Sequence, residues 1–167
     1  MPVTLDTIRA ARDRINDVIY HSACPYSLSL SRLCAAEIYC KLDHMQVTGS
    51  FKERGARNKL KLMLDRKAVG PGVIAASAGN HAQALAYHGQ DLGIPVTVVM
   101  PKWAPLVKVS NCRSFGATII LHGESYDDAK HHATVCGRNV RHGQRHEHRK
   151  SDDCADSGAD QPAPELG

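Results

Sequence analysis

The chain has 167 residues, 43% of them apolar, which is enough for one domain with a packed core. The formal net charge of +4 is small and the basic residues are spread among acidic ones, so a nucleic-acid or membrane partner has little support. No run approaches the roughly 20 apolar residues that span a bilayer. The six cysteines are scattered without a Cys-x-x-Cys pair, and the N-terminus lacks an apolar signal segment, so we expect a cytoplasmic protein with reduced thiols.

The first 45 residues predict a helix followed by a strand. Thr4 is a suitable helix cap, and apolar residues follow it at helical spacing: Leu5, Ile8, Ala11, Ile15 and Val18. After a loop that contains Pro25, residues 37–42 alternate between polar and apolar side chains, a pattern typical of a strand. We therefore expect residues 1–45 to form one segment that packs on something larger.

The next segment, residues 48–56, reads Thr-Gly-Ser-Phe-Lys-Glu-Arg-Gly-Ala and leads into a predicted helix, which puts Lys52 near the helix start. A lysine amine that condenses with an aldehyde must be neutral part of the time, and partial burial favours the neutral form. The aromatic residue before Lys52 and the glycines around it suit such a place. The simpler alternative is an exposed helix lysine. For Arg54 we expect a structural ion pair with Asp43 or Glu37.

From residue 73 onward, short apolar runs alternate with amphipathic stretches that end near glycine. This pattern predicts a parallel sheet built from βαβ units, and therefore an α/β fold. The predicted strands are Val73–Ala76, Val96–Met100 and Ala117–Leu121, and the predicted helices are Asn80–Leu92, 105–115 and one that starts near Ser125.

The loop after the first of these strands reads Ser-Ala-Gly-Asn-His and is a candidate anion site. A loop that opens a helix presents unpaired backbone N–H groups and the positive end of the helix dipole, and open parallel sheets bind ligands at this edge. Ser77, Gly79, Asn80 and His81 occupy that place. The simpler alternative is that Asn80 caps the helix, and the two roles are compatible.

Residues 136–167 contain no Ile, Phe, Tyr, Trp or Met, and we expect them to be a disordered tail. A frameshift or an altered gene end would produce such a change in amino-acid composition. The alternative is a metal site, because metals bind histidine pairs spaced four apart on a helix, but no helix is predicted there and we expect no specific metal. The candidate ligands are His131, His132, Cys136, His142, His146, His148 and Cys154.

Together, the lysine motif and the Ser77 loop resemble the fold-type II pyridoxal-phosphate (PLP) enzymes, most closely the threonine/serine dehydratase and serine racemase branch. The resemblance covers about residues 3–135, and it implies a truncated, N-terminal part of the parallel three-layer α/β fold of the tryptophan synthase β-like enzymes. Residues 1–45 then belong to the large domain, residues 46–135 form the small cofactor and substrate domain, and residues 136–167 lie outside the family pattern. The stretch 100–117 is also similar to this branch, and we assign it structure only.

The resemblance implies PLP as the cofactor and a role for each site residue. Lys52 forms the Schiff base with PLP and later removes the α-proton of the amino acid, and Phe51 lies against the pyridine ring. The substrate carboxylate is received by the hydroxyl or N–H groups of Ser77, Ala78, Gly79, Asn80 and His81. The side chain of Asn80 also hydrogen-bonds the 3′ oxygen of the cofactor.

The reaction implied by the resemblance is β-elimination from L-threonine or L-serine, which gives a 2-oxo acid and ammonia. In the racemases the residue after the first serine is a second serine that reprotonates the carbanion; here it is Ala78, which favours elimination. The family's glycine-rich phosphate loop lies downstream of the match, and each lost charge-assisted hydrogen bond costs roughly 1.5–3 kcal/mol, so we expect weak PLP binding and little turnover. The alternative is a non-catalytic fragment or a binding partner of an intact homologue, associating through exposed core surface or as a homo-oligomer.

Overall fold

The computed structural model describes residues 2–141. Within that range the helices are α1 (Leu5–Ile15), α2 (Leu28–Cys34), α3 (Lys52–Asp65), α4 (Asn80–Asp91), α5 (Leu106–Ser114) and α6 (Tyr126–Arg141). The strands are β1 (Val73–Ala76), β2 (Val96–Met100) and β3 (Thr118–Leu121), and a short 3₁₀ turn covers Asp43–Met45. Strand and helix therefore alternate from residue 73 onward, as the sequence predicts.

The three strands form one parallel sheet in the order β1-β2-β3. Val73 lies opposite Val96, so strands that are neighbours in the chain pair directly, and α4 and α5 supply the crossovers that parallel pairing requires. Each of these helices is followed by a glycine with a positive φ, +65° at Gly93 and +73° at Gly116, where a side chain would be strained. The predicted α/β fold is confirmed.

Helices cover both faces of the sheet. On one face, α3, α4 and α5 share a core with Val98 and Met100 of β2. On the other face, Val99 packs with Ala129 and Ala133 of α6. Because successive side chains of a strand point to opposite faces, β2 contributes to both cores, and the result is the predicted three-layer arrangement.

The N-terminal segment packs on α3 through α1. Thr4 caps α1 as predicted: its hydroxyl accepts the N–H of Thr7 at 3.3 Å, and the Thr7 hydroxyl accepts the N–H of Thr4 at 2.9 Å. Ile15 and Ile19 are buried, whereas Ile8 is exposed. The apolar face of α1 is therefore covered only near its C-terminal end.

The strand predicted over residues 37–42 is wrong. Tyr39 forms one antiparallel bridge with Tyr26, and their rings meet edge to face with centroids 5.5 Å apart, but the described residues form no ladder here. The facing segment, residues 23–27, does bind residues 38–42 through three backbone hydrogen bonds of 2.8 to 3.0 Å, but Pro25 in its middle has no N–H to donate, and the pairing stays at one bridge. After Ser27 the chain enters α2, a helix not predicted from the sequence. Alternation of polar and apolar residues therefore does not show whether a regular ladder can form.

Helix α6 continues to Arg141, beyond residue 136, where the tail is predicted to begin. The rest of the predicted tail, residues 142–167, lies outside the described residues. Within residues 2–141, no helix combines the length and the apolar content needed to cross a membrane.

Candidate functional site

Lys52 is the first residue of α3, in agreement with the sequence prediction. Its amine nitrogen lies 4.7 Å from the centre of the preceding Phe51 ring, a cation–π contact, and Phe51 is 60% exposed. Lys52 is exposed as well, so our expectation of partial burial is wrong for the described residues. The loop before α3 lies at the surface, and the described chain leaves the amine accessible.

Glu53, the neighbour of Lys52, is directed into the interface between α3 and α4. Its side chain is 2% exposed, and one carboxylate oxygen accepts the backbone N–H of Thr48. The other oxygen is 3.6 Å from Nε2 of His88, whose side chain is fully buried. This carboxylate therefore closes the loop from Thr48 to Phe51 and fixes the point where α3 begins.

Arg54 anchors the same loop to the preceding segment. Its guanidinium donates two hydrogen bonds to Asp43, of 2.8 and 2.9 Å, so Asp43 rather than Glu37 is its partner, and the predicted ion pair is confirmed. The Arg54 contact holds the pKa of Asp43 well below its usual range, and hydrogen bonds from Ser22 and Gln46 lower that pKa further. The N-terminal segment is thus tied to α3 by a charge-assisted network.

His88 lies behind Glu53 in the α3–α4 interface, beside an ion pair between Arg57 and Asp91. Burial, followed by the positive charge of Arg57, lowers the pKa of His88 to about 4. The ring is therefore neutral at neutral pH, and neither ring nitrogen has a hydrogen-bond partner among the described residues. A buried neutral imidazole of this kind makes the interface sensitive to acid.

The loop after β1 opens α4 at the carboxyl edge of the sheet. Ser77 donates its N–H to the carbonyl of Val99 at 3.1 Å, and its hydroxyl accepts the N–H of Gly79 at 3.4 Å. Gly79 occupies the capping position of α4 without a side-chain cap, so the alternative role of Asn80 as the helix cap is wrong. No side chain therefore caps the first N–H groups of α4, although that of Ala82 donates to the carbonyl of Gly79 at 3.1 Å, and the start of the helix can receive an anion.

The charge of Lys52 acts on His81, the second residue of α4. Burial, followed by the positive charge of Lys52, lowers the pKa of His81. Such an effect weakens with distance, so the amine of Lys52 lies within electrostatic reach of the His81 ring.

The side chain of Asn80 is held by neighbours on α4 and α5. Its Oδ1 accepts hydrogen bonds from Nζ of Lys108 at 2.9 Å and from Nε2 of Gln83 at 3.4 Å. Gln83 in turn accepts a hydrogen bond of 2.8 Å from Asn111. Lys108 was not identified as a site residue from the sequence, because residues 100–117 were assigned a structural role only. Lys108 and Asn111 are three residues apart and therefore lie on one face of a helix, and this spacing could have indicated a shared polar contact.

An open cavity of about 800 Å³ lies beside β1, between α3 and α4. Apolar side chains line most of it, among them Leu60, Val73 and Leu85, and His81 stands at its boundary. Strand β1 is at an edge of the sheet, so this cavity follows apolar surface that no further strand covers in the described residues.

Among residues 2–141, no group of three or more His, Cys, Asp or Glu side chains is arranged so that it could hold a metal ion. His122 and His132 stack with ring centroids 4.0 Å apart, without a third ligand of these types. The remaining candidate ligands, from His142 onward, lie outside the described residues.

These groups fit an aromatic cofactor that carries an aldehyde, together with a bound amino acid. Lys52 offers an accessible amine, Phe51 an exposed ring face, and the start of α4 a set of N–H donors. A Cβ added at Gly49 or Gly79 would meet no atom within 4 Å, so the space beside both motifs is open. An amine, an apolar ring contact and an anion site are what a PLP-dependent enzyme requires of its protein.

Comparison with known proteins agrees with this class. The family model for pyridoxal-phosphate dependent enzymes matches residues 16–150, and the chain belongs to this family. The L-threonine ammonia-lyase of Thermotoga maritima is 45% identical over 127 residues, which are 76% of this chain and 31% of that enzyme. Among solved structures, a processed threonine deaminase of Solanum lycopersicum matches with a TM-score of 0.70 at 32% identity, over 84% of this chain and 40% of that one. The serine racemase of Dictyostelium discoideum matches with a TM-score of 0.72 at 31% identity, over 84% of this chain and 44% of that one.

The comparisons confirm the resemblance to the threonine dehydratase and serine racemase branch. The chain spans less than half the length of each of these relatives. The family match ends at residue 150, beyond residue 135, where we expected the resemblance to stop. The roles of the individual site residues stay predictions.

Proposed function

We propose that this chain carries part of the site of a PLP-dependent ammonia-lyase, which eliminates the β-hydroxyl of L-threonine or L-serine to give a 2-oxo acid and ammonia. The observation that supports it best is that the Ser77 loop, which opens α4 at the carboxyl edge of the sheet, lies within electrostatic reach of Lys52, the first residue of α3. The similarity to a threonine ammonia-lyase and a threonine deaminase supports the reaction class.

In this proposal the residues of the lysine motif and Asn80 hold the cofactor. When bound, the cofactor would withdraw electrons from the α-carbon of the substrate. The amine of Lys52 would hold it covalently and, once released, would take the α-proton. The exposed ring of Phe51 would contact one face of the cofactor ring, and the side-chain amide of Asn80 would donate to its 3′ oxygen.

The loop after β1 would orient the substrate. Its carboxylate would accept hydrogen bonds from the hydroxyl of Ser77 and from the N–H groups of residues 78–81, beside the positive end of the α4 dipole. Ala78 carries only a methyl group at the place where a racemase needs a proton donor. We therefore propose elimination in preference to racemisation.

The exposure of Lys52 leads us to expect little turnover from this chain alone. The described residues leave this amine open to solvent, so water is not excluded from the site. A second candidate function follows: the chain binds an intact homologue through apolar surface such as the cavity beside β1. Co-purification with a full-length relative, with no cofactor retained, would favour this candidate. A cytoplasmic location is also part of the proposal, because Cys24, Cys34, Cys40 and Cys112 are free thiols, and cell fractionation tests it.

The experiment that tests the proposed site is trapping of the cofactor on Lys52. The purified chain is incubated with PLP and reduced with borohydride, and the pyridoxyl group is located by peptide mapping. We expect a stoichiometric label on Lys52 that is lost in Lys52→Ala and kept in Lys59→Ala, since Lys59 is exposed on the same helix. Label spread over surface lysines, unchanged by Lys52→Ala, would contradict the proposal and favour the non-catalytic alternative.

A further inference from the structure

A polar network between α4 and α5 determines how the side chain of Asn80 is oriented. Lys108 and Gln83 both donate to its Oδ1, at 2.9 and 3.4 Å, and Asn111 donates to Oε1 of Gln83 at 2.8 Å. Gln83 is 3% exposed, so this network is partly inside the interface. The amide nitrogen of Asn80, Nδ2, donates no hydrogen bond to any of the described residues.

The hydrogen bond from Lys108 determines which atom of the Asn80 side-chain amide is the oxygen and which is the nitrogen. A lysine ammonium has three donors and no acceptor, so the group of Asn80 that faces it must be the oxygen. The Gln83 contact agrees, because Asn111 occupies the Gln83 oxygen and leaves its nitrogen to donate to Asn80. Of the two donors, Lys108 makes the shorter and charge-assisted bond, which is the stronger kind.

We propose that Lys108 is a positioning residue: it binds the oxygen of the Asn80 amide and thereby directs the amide nitrogen to the 3′ oxygen of the cofactor. This inference rests on the proposed function for its consequence, although the orientation itself is a property of the cofactor-free chain. A hydrogen bond to an oxygen in its deprotonated form stabilises that form. Loss of the Lys108 bond would therefore shift the bound cofactor toward the form with a protonated 3′ oxygen.

The first test needs no cofactor. In chain labelled with ¹⁵N, the side-chain amide resonances of Asn80 are assigned by their loss in Asn80→Asp and compared among variants. We expect them to move in Lys108→Met and to stay in place in Lys102→Met, whose lysine pairs with Glu124 instead. Amide resonances of Asn80 that are unchanged by Lys108→Met would overturn the proposal.

The second test uses the spectrum of the chain loaded with PLP. The ratio of the visible band, from the deprotonated 3′ oxygen, to the near-ultraviolet band should fall roughly two- to tenfold in Lys108→Met, as expected for one hydrogen bond. Lys108→Arg, which keeps a donor, should restore the ratio, and the borohydride label on Lys52 should persist in all three proteins. A labelled Lys108→Met with an unchanged band ratio would overturn the inference. Absence of label in the native chain would instead contradict the proposed function, and the resonance test would still decide the orientation of Asn80.

Discussion

The two parts of the described chain are stabilised in different ways. In residues 52–141 most of the buried residues are apolar, and Val98, Val99 and Met100 of the central strand are all 0% exposed, although Glu53 and His88 are buried between α3 and α4. In residues 2–51 four of the six buried residues are polar, namely Ser22, Ser31, Gln46 and Ser50. Large apolar side chains are exposed in both parts, with Leu33 at 81% and Leu106 at 83%. The N-terminal segment therefore depends on specific hydrogen bonds, and the sheet depends on burial of apolar surface.

This difference matters for the site, because the lysine motif lies at the boundary between the two parts. On the N-terminal side, Arg54 and Asp43 fix the turn before α3, and on the sheet side Glu53 holds Thr48. The position of Lys52 is thus set by charged contacts, and the Ser77 loop is set by the sheet. Substitutions in the N-terminal segment and substitutions in the sheet should therefore affect the stability of the chain in different ways.

The largest expected effect on the free energy of unfolding comes from a leucine-to-alanine substitution in the sheet part, compared with the same substitution in the N-terminal part. Leu60→Ala, at a residue of α3 that is 1% exposed, should lower the free energy of unfolding by about 2–5 kcal/mol through lost burial and a cavity. Leu33→Ala, at a residue of α2 that is 81% exposed, should change it by no more than about 0.5 kcal/mol. Urea denaturation followed by circular dichroism measures both. Equal losses of unfolding free energy in the two variants would show that Leu33 is as closely packed as Leu60, against the proposed difference between the two parts.

The next effect concerns acid and the α3–α4 interface. His88 has a pKa of about 4, well below the ordinary histidine value of about 6.5, so its neutral form contributes stability that is fully present above pH 6.5 and is lost as the pH falls through 4. The loss is about 3 kcal/mol over that window. The charged groups beside it are Glu53, Arg57 and Asp91.

The measurement for His88 is the free energy of unfolding as a function of pH. His88→Gln should remove most of the decline between pH 6.5 and 4. His81→Gln serves as the control, because His81 lies on the same helix but is exposed, so its replacement should leave most of the decline in place. If the decline is the same in native chain and His88→Gln, the buried imidazole is not its source.

A smaller effect is expected from the ion pair that ties the N-terminal segment to α3. Asp43→Asn keeps the shape of the side chain but removes the charge that Arg54 binds, and should lower the free energy of unfolding by about 1–3 kcal/mol. The matched control is Asp13→Asn, at an exposed pair with Arg12, where we expect no more than about 0.5 kcal/mol. Both variants are measured by urea denaturation. Equal losses of unfolding free energy in Asp43→Asn and Asp13→Asn would contradict the proposed role of Asp43.

The sheet could be predicted from the sequence because its signals are local. Apolar runs of the right length, bounded by glycines, give the bounds of β1 and β2 as the structure has them, and the end of α4 to within one residue. In the N-terminal part, the apolar residues of α2 are exposed, so their spacing carries little information about a buried helix face. The strand over residues 37–42 was predicted wrongly because alternation does not show which segment it faces, and the facing segment contains Pro25, which cannot donate to a regular ladder.

The same division applies to the candidate site. The location of Lys52 at a helix start, the loop after β1 and the pair of Arg54 with Asp43 follow from motif and spacing. The exposure of Lys52, the burial of His88 and the contact of Lys108 with Asn80 depend on which elements meet in three dimensions. Sequence patterns therefore indicate the reactive groups, and tertiary contacts determine their environment.

The smallest effect should be confined to the N-terminal part. Thr4→Ala removes the hydroxyl that caps α1, which costs about 1 kcal/mol, and Thr4→Ser keeps it. Since α1 contributes little to the apolar core, we expect faster amide hydrogen exchange in Thr4→Ala within α1 and unchanged protection in β2. Loss of protection in β2 of similar size would mean that the two parts unfold together, in which case α1 stabilises the sheet through its contact with α3.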